Sequence, residues 1–282
     1  VKRRGLLVRK TLNAAIGVSA MLAAAAGVAF LIWIIYTVVS MGVKELNWSF
    51  LIEPTKPYGI PDGGIANAIL GTIMITLGAV MIGVPAGLLG GVYLSEFSYN
   101  SRLGKTIRFS ANVMMGIPSI IVGLFVYTLL VIPTGHFSGF AGAVSLAVIM
   151  FPVIIRTTED MLSMAPNTLR ESALALGVPR WKTTLVILFR YVRSGLITGI
   201  LLAVARVSGE TAPLLFTALW SDGWPTSFFS QPTPNLTVTI NEYATNSPYE
   251  DLHIRAWGAA LLITAAILAL NIFCRTVFRE KR

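Results

Sequence analysis

Arg206 and Glu210 are the residues of this chain best placed to do chemistry. They stand in the run Ala205-Arg206-Val207-Ser208-Gly209-Glu210-Thr211-Ala212-Pro213, inside an apolar stretch expected to span residues 196–219. If a helix enters near Leu196 and rises about 1.5 Å per residue, Arg206 lies roughly 15 Å deep, close to the midplane of a hydrocarbon core of about 30 Å. A guanidinium left against lipid there costs several kcal/mol, so it must face protein or water. Glu210 follows at i+4. Two readings are open. One is an internal ion pair, in the less favourable Arg-before-Glu order. The other is an anion path, in which Arg206 offers a bidentate fork to a tetrahedral oxyanion and Glu210 keeps binding weak enough for release. Arg156, at the inner end of a span expected over 140–155, is either a second station for an anion or an anchor at the basic face of the membrane.

Other chemistries lack their parts. Ser208 has no histidine base on any span, since His136 and His253 fall in loops. Those two histidines and the lone Cys274 form neither a metal set nor a disulfide. No Gly-x-x-x-x-Gly-Lys-Ser/Thr loop is present, so the chain is expected not to hydrolyse ATP and not to be an enzyme. The net charge of +9 comes without basic runs interleaved with aromatics, which argues against a nucleic-acid partner.

The elements that carry these residues follow from composition. With 55% hydrophobic and 12% charged residues and a mean hydropathy of +0.72, the 282-residue chain has about half the charge of a soluble domain. It reads as an all-α integral membrane protein in contact with lipid, a single domain over 1–282 with six spans near 12–39, 65–94, 111–132, 140–155, 196–219 and 256–273. The first apolar run is too long for the core of a signal peptide and is expected to be retained. On the second span Gly83, Gly87 and Gly91 recur every four residues, one turn after Ala79, and make a smooth stripe for close helix packing, with Pro85 adding a kink. Gly116-Ile117-Pro118-Ser119 breaks the third span, which is tolerated where protein or a water-filled cavity covers the freed backbone.

Two extended loops are expected, Lys44–Gly64 with Pro54, Pro57 and Pro61, and Trp220–Arg255. Basic residues sort to one side. Lys2, Arg3, Arg4, Arg9 and Lys10, then Arg102, Lys105 and Arg108 in a short loop, then the loop 156–193, then Arg275, Arg279, Lys281 and Arg282 alternate with loops holding only Lys44, Lys56 and Arg255. This asymmetry places both termini and the central loop in the cytoplasm.

That central loop carries a short helix between Pro166 and Lys182. Asn167 or Thr168 is the expected N-cap, Glu171 stands in capping-box register with Thr168, and Gly177 with Pro179 ends the helix. Leu169, Ala173 and Leu176 fall at i, i+4 and i+7 on one greasy stripe. A helix of about two turns is not stable alone, so it is clamped by its own chain or docked in a partner's groove.

Glu171-Ser172-Ala173, three residues and then Gly177 resemble the Glu-Ala-Ala…Gly signature of ABC importer permeases. Ser172 replaces Ala, and of the usual Ile-x-Leu-Pro continuation only Ile187 is present, with Phe189 and Arg190 in place of Leu and Pro. Arg156-Thr157-Thr158-Glu159, Gly116-Ile117-Pro118-Ser119-Ile120 with Gly123-Leu124, and above all Gly209-Glu210-Thr211-Ala212-Pro213-Leu214-Leu215 are similar to the PstA-type permeases of bacterial phosphate importers. The resemblance implies a type I importer permease of the bacterial cytoplasmic (inner) membrane that moves inorganic phosphate by alternating access. Its partners would be a homologous second permease, two copies of a cytoplasmic ATPase subunit that bind ATP and magnesium, and an extracytoplasmic phosphate-binding protein; the chain itself would bind no cofactor and no metal. Arg156, Arg206 and Glu210 would line the phosphate pathway, and Leu169, Glu171, Ser172, Ala173, Leu176 and Gly177 would couple to the ATPase. A permease for another oxyanion such as sulfate is an alternative, since Arg forks recognise both. A self-contained secondary anion transporter is a remoter one, as no second half repeats the first.

Overall fold

The computed structural model describes residues 5–56, 60, 63–98 and 101–277. Lys2, Arg3, Arg4, Pro57, Pro61, Arg279, Lys281 and Arg282 lie outside the described residues. The regular elements among those described are all helices, with no strand.

Helix α1 (Leu6–Gly42) is apolar all round, and its long hydrophobic stretch buries none of its residues among those described; its last turns pack on the final long helix, with Gly42 against Trp257 and Leu261. A short α2 (Trp48–Ile52) follows, capped by Asn47, whose side chain accepts from Phe50 N at 2.7 Å. Helix α3 (Ala66–Val92) runs through Pro85 and ends in a π-helical turn, Tyr93–Phe97.

The basic stretch 102–108, expected as a loop, is the start of the amphipathic α4 (Arg102–Gly116). Ser101 caps it by accepting from Gly104 N at 2.9 Å. Pro118 then disfavours a helical Ile117, which is extended at ψ 131°. Helix α5 (Ser119–Val126), a π turn and α6 (Ile132–Thr134) leave the break at 106° to α4. The third span is therefore not one rod over 111–132 but an angled pair.

Helix α7 (Gly139–Ser163), capped by Ser138, continues well past Ile155. Nothing in Arg156-Thr157-Thr158-Glu159-Asp160 breaks a helix, and Arg156 pairs along it with Glu159 at 3.7 Å and Asp160 at 3.1 Å. Arg156 thus sits within a helix and not at its end, and the loop expected from 156 shrinks accordingly. After α8 (Asn167–Ala175), a continuous helical segment runs from Arg180 to Val207 as α9 (Arg180–Lys182), a π turn over Thr183–Leu188 and α10 (Phe189–Val207). Pro179 is the residue before its start, and with Arg190 where the resemblance leads one to expect a proline, the helix passes through that point unbroken.

The span expected over 196–219 is interrupted. Backbone leaves the helix after Val207 and resumes as α11 (Ala212–Thr217) with Pro213 in its first turn. The segment Trp220–Arg255, expected as extended loop, folds back: α12 (Leu236–Thr245), capped by Asn235, buries Leu236, Val238 and Tyr243. Burial pushes the Tyr243 hydroxyl up to about 12, so it stays neutral. Helix α13 (Glu250–Val277) starts earlier than Ala256, and its Arg255, 8% exposed, pairs with Glu45 at 3.5 Å. Among the described residues, five helices are long and apolar enough to cross a membrane, six if the bent 102–134 pair is one crossing.

The centre of the molecule is the α3–α7 contact, where Ala79, Met150 and Ile154 are buried. Both helices repeat every four residues at the interface. A Cβ on Gly83 would stand 2.8 Å from Met150 Cε, one on Gly87 2.7 Å from Ile154 Cβ, and one on Gly91 would overlap Thr158 Cβ and lie 2.7 Å from the Ile155 carbonyl. The absent side chains let the backbones approach. Gly91→Ala is expected to destabilise by about 1–3 kcal/mol through overpacking against backbone. Gly83→Ala should cost less, since the flexible Met150 tip yields and alanine recovers up to about 1 kcal/mol of helix propensity. Thermal unfolding of the purified complex orders the two; Gly83→Ala melting lower than Gly91→Ala would contradict the packing account.

Candidate functional site

The two interruptions, at Ile117-Pro118 and at Ser208–Thr211, meet. A cavity of about 230 Å³ lies between them, lined by Met114, Met115, Ile117, Pro118 and Ser119 on one side, Val148, Ile149 and Val153 of α7 on another, and Arg206 and Glu210. Gly123 seats α5 directly on Pro213, where a Cβ would fall 2.6 Å from Pro213 Cα. The break after Val207 is held from α12. Thr237, itself tied to Asn235, donates to the Glu210 carbonyl at 2.9 Å. Ser208 Oγ donates to the Ala205 carbonyl at 2.9 Å, which satisfies a chain turn and not a substrate.

Arg206 is the penultimate residue of α10, exposed on the surface of this chain, and Glu210 is half-buried past the helix end. Because the helix stops between them, i+4 spacing no longer stacks one on the other. No ion pair joins them among the described residues. The internal ion pair is thus not formed, and a fork of N–H donors stays available at the cavity. The first turn of α5, whose leading N–H groups have no helical carbonyl to bond, opens on the same space at Ser119. A pocket of this make-up, apolar walls with a cation and helix-terminal donors on one edge, suits a small anion bound loosely. Arg156 does not line it; it lies on the exposed side of α7, engaged with Glu159 and Asp160.

The second candidate surface is α8. Pro166, not Asn167 or Thr168, is its N-cap residue, and no side chain caps it. Asn167 instead accepts from Arg170 at 3.4 Å. The greasy stripe also divides. Leu169 and the buried Ala173 turn inward, Leu169 packing on a cluster of Leu162, Ala165, Leu188 and Val192, while Leu176 is 84% exposed. The helix stops at Leu176, so i+7 spacing does not keep it on the inner face. Gly177 takes φ 76°, Val178 N bonds the Ala173 carbonyl at 3.1 Å, and Gly177 N bonds that of Leu174 at 2.9 Å. This left-handed ending suits glycine, which has no Cβ penalty there. Glu171, Ser172 and Leu174 are exposed beside Leu176, so the free face is mixed apolar and acidic.

Sequence reasoning missed the cross-element ion pairs beneath α8, Arg170–Glu96 and Arg108–Glu159. The available signal was a carboxylate at the last turn of a span, where the helix dipole disfavours it and a cation must compensate.

Comparison with known proteins is consistent along the chain. The family described as "Binding-protein-dependent transport system inner membrane component" matches residues 79–279. The chain is 44% identical over 256 residues to the phosphate transport system permease protein PstA of Yersinia pestis, covering 91% of this chain and 86% of that one. It is 43% identical to the PstA protein of Pasteurella multocida over 97% and 96% of the two chains. Its fold resembles that of the MetNI methionine ABC transporter in an inward-facing conformation, with a TM-score of 0.59 at 18% identity over 76% of this chain and 92% of that one. A sequence alike from end to end, on a type I importer permease fold, means that the chain belongs to the binding-protein-dependent transport system inner membrane components, in the branch of the PstA permeases.

Proposed function

We propose that the chain is the permease subunit of an ATP-driven importer that moves inorganic phosphate inward by alternating access, with Arg206 as the cation the anion passes. The observation that carries this reading is an Arg206 fork with no carboxylate partner among the described residues, at a cavity between two broken helices. The naming of its relatives as phosphate permeases favours phosphate over sulfate. The chain works with a second, homologous permease, two ATPase subunits that hold ATP and its magnesium, and an extracytoplasmic phosphate-binding protein. Glu210 limits how tightly the anion is held, and Arg156 marks the inner end of its route. Both termini and α8 face the cytoplasm, as the Lys and Arg distribution supports, and α8 seats in the ATPase through Glu171, Ser172, Leu176 and the Gly177 turn, while Leu169 and Ala173 hold it to its own chain.

Uptake by the reconstituted complex tests the reading. Phosphate should accumulate only with ATP and the binding protein present, and sulfate should not compete. Accumulation by this chain alone would refute it. Orientation is tested separately. Trp224, 47% exposed in the 220–235 segment, replaced by Cys should react with an impermeant maleimide from outside the cell, against a silent background because Cys274 is 1% exposed. Labelling only from the cytoplasm would invert the topology.

A further inference from the structure

We propose that Glu96 and Arg170 form the strut through which displacement of α8 is passed to α3, which makes them positioning residues for transport; the inference rests on the permease reading above. Arg170 points away from the exposed face of α8 and into the chain. Its Nη2 donates to Glu96 Oε1 at 2.8 Å and to the Leu162 carbonyl at 2.7 Å, its Nη1 donates to the Ala165 carbonyl at 2.6 Å, and its Nε reaches both Glu96 oxygens at 3.2 Å. One guanidinium therefore ties three elements: α8, the end of α7, and the π-helical turn that closes α3. Glu96 is 13% and Arg170 19% exposed at the side chain, so the pair is shielded but not dry.

What surrounds the pair makes it mechanically important. Two cavities border the pair, one of about 650 Å³ shared with Arg108, Glu159 and Asn167 and one of about 230 Å³ shared with Leu174, Arg180 and Thr184. Side-chain packing is thin at both, so at this level a push on α8 reaches α3 by the charged link. Lower down, Leu169 of α8 and Leu88 and Val92 of α3 pack on the same cluster around Leu162, a greasy contact that can slide where a forked ion pair keeps its geometry. The carboxylate also stands in the last turn of its helix, against the dipole, so it needs the charge of Arg170 there, with Ser95 Oγ adding a neutral donor at 3.1 Å. Downstream, α3 is locked to α7 by the glycine stripe, and α7 lines the Arg206 cavity with Val148, Ile149 and Val153. A continuous path of rigid contacts thus runs from the ATPase-facing helix to the anion cavity.

Glu96→Ala cuts the link while leaving Arg170 its carbonyl partners at Leu162 and Ala165, so α8 keeps its place on α7. In the reconstituted complex with ATPase subunits and binding protein, the ATPase should stay bound and hydrolyse ATP, while phosphate moved per ATP falls about tenfold or more. Arg170→Lys, which keeps the charge but not the fork, should give an intermediate ratio. An unchanged ratio in Glu96→Ala overturns the proposal, as does loss of the ATPase from the complex, which would make the pair part of the docking surface. If neither variant accumulates in the membrane, the pair is a folding element and the proposal falls. The parent complex separates the two inferences: hydrolysis without phosphate uptake there would sink the permease reading itself, whatever the variants do.

Discussion

Arg206→Gln should abolish phosphate uptake while leaving the complex assembled. The side chain is exposed in this chain and carries no ion pair, so its removal orphans no buried carboxylate, and the folding cost is that of a surface substitution, within about 0.5 kcal/mol. The cost to the passing anion is far larger. Two charge-assisted hydrogen bonds worth about 1.5–3 kcal/mol each are lost, which predicts a drop of about 100-fold or more in uptake. Radiolabelled phosphate uptake with parallel purification of the complex reads both quantities. Parent-like uptake would remove Arg206 from the pathway, and failure to assemble would make it a structural residue. Arg206→Lys should recover part of the flux, because a point charge attracts the anion without matching its geometry.

Gly177→Asp should release the ATPase. Aspartate is among the few residues with a side chain that visit the left-handed region, at a cost of about 1–2 kcal/mol, and its Cβ would meet nothing within 4 Å. Helix α8 therefore still ends where it does. The new carboxylate projects beside exposed Leu174 and Leu176, and covering it by a partner without a counter-charge costs several kcal/mol. Recovery of the ATPase subunit with the tagged permease should fall by about two orders of magnitude, and uptake with it. Gly177→Asn is the control, with similar backbone tolerance and no charge; it should retain most of both. If the Asp variant co-purifies and transports as the parent does, the turn is not part of the contact.

The division between what could be read from residues and what could not follows the range of each interaction. The glycine period over Gly83–Gly91, the break at Pro118 and the stop at Gly177 are local, set by sterics within a few residues, and each appears where the spacing puts it. The span limits drifted where composition carried little information. Polar Arg156-Thr157-Thr158-Glu159 looks like loop but is helix, because α7 needs no apolar surroundings once the ion pairs with Glu159 and Asp160 form. Ser208–Thr211 looks like continuous span but is a break, because the turn is secured from Thr237, far along the chain. Arg206 and Glu210, which line the cavity, are legible because charge in an apolar run is conspicuous. Glu96 and Arg170 are not, since each is unremarkable in its own neighbourhood and the pairing is a property of the fold.

Helix α1 has its own consequence. For most of its length it buries nothing against the rest of the described residues, and it joins the bundle at its end, where Gly42 seats on α13. Within this chain that stretch is constrained by solubility in oil and not by shape, so exchanging its apolar residues among themselves leaves the packing of the other helices untouched so long as the seat is kept. It is a tether whose wording is arbitrary and whose solvent is not.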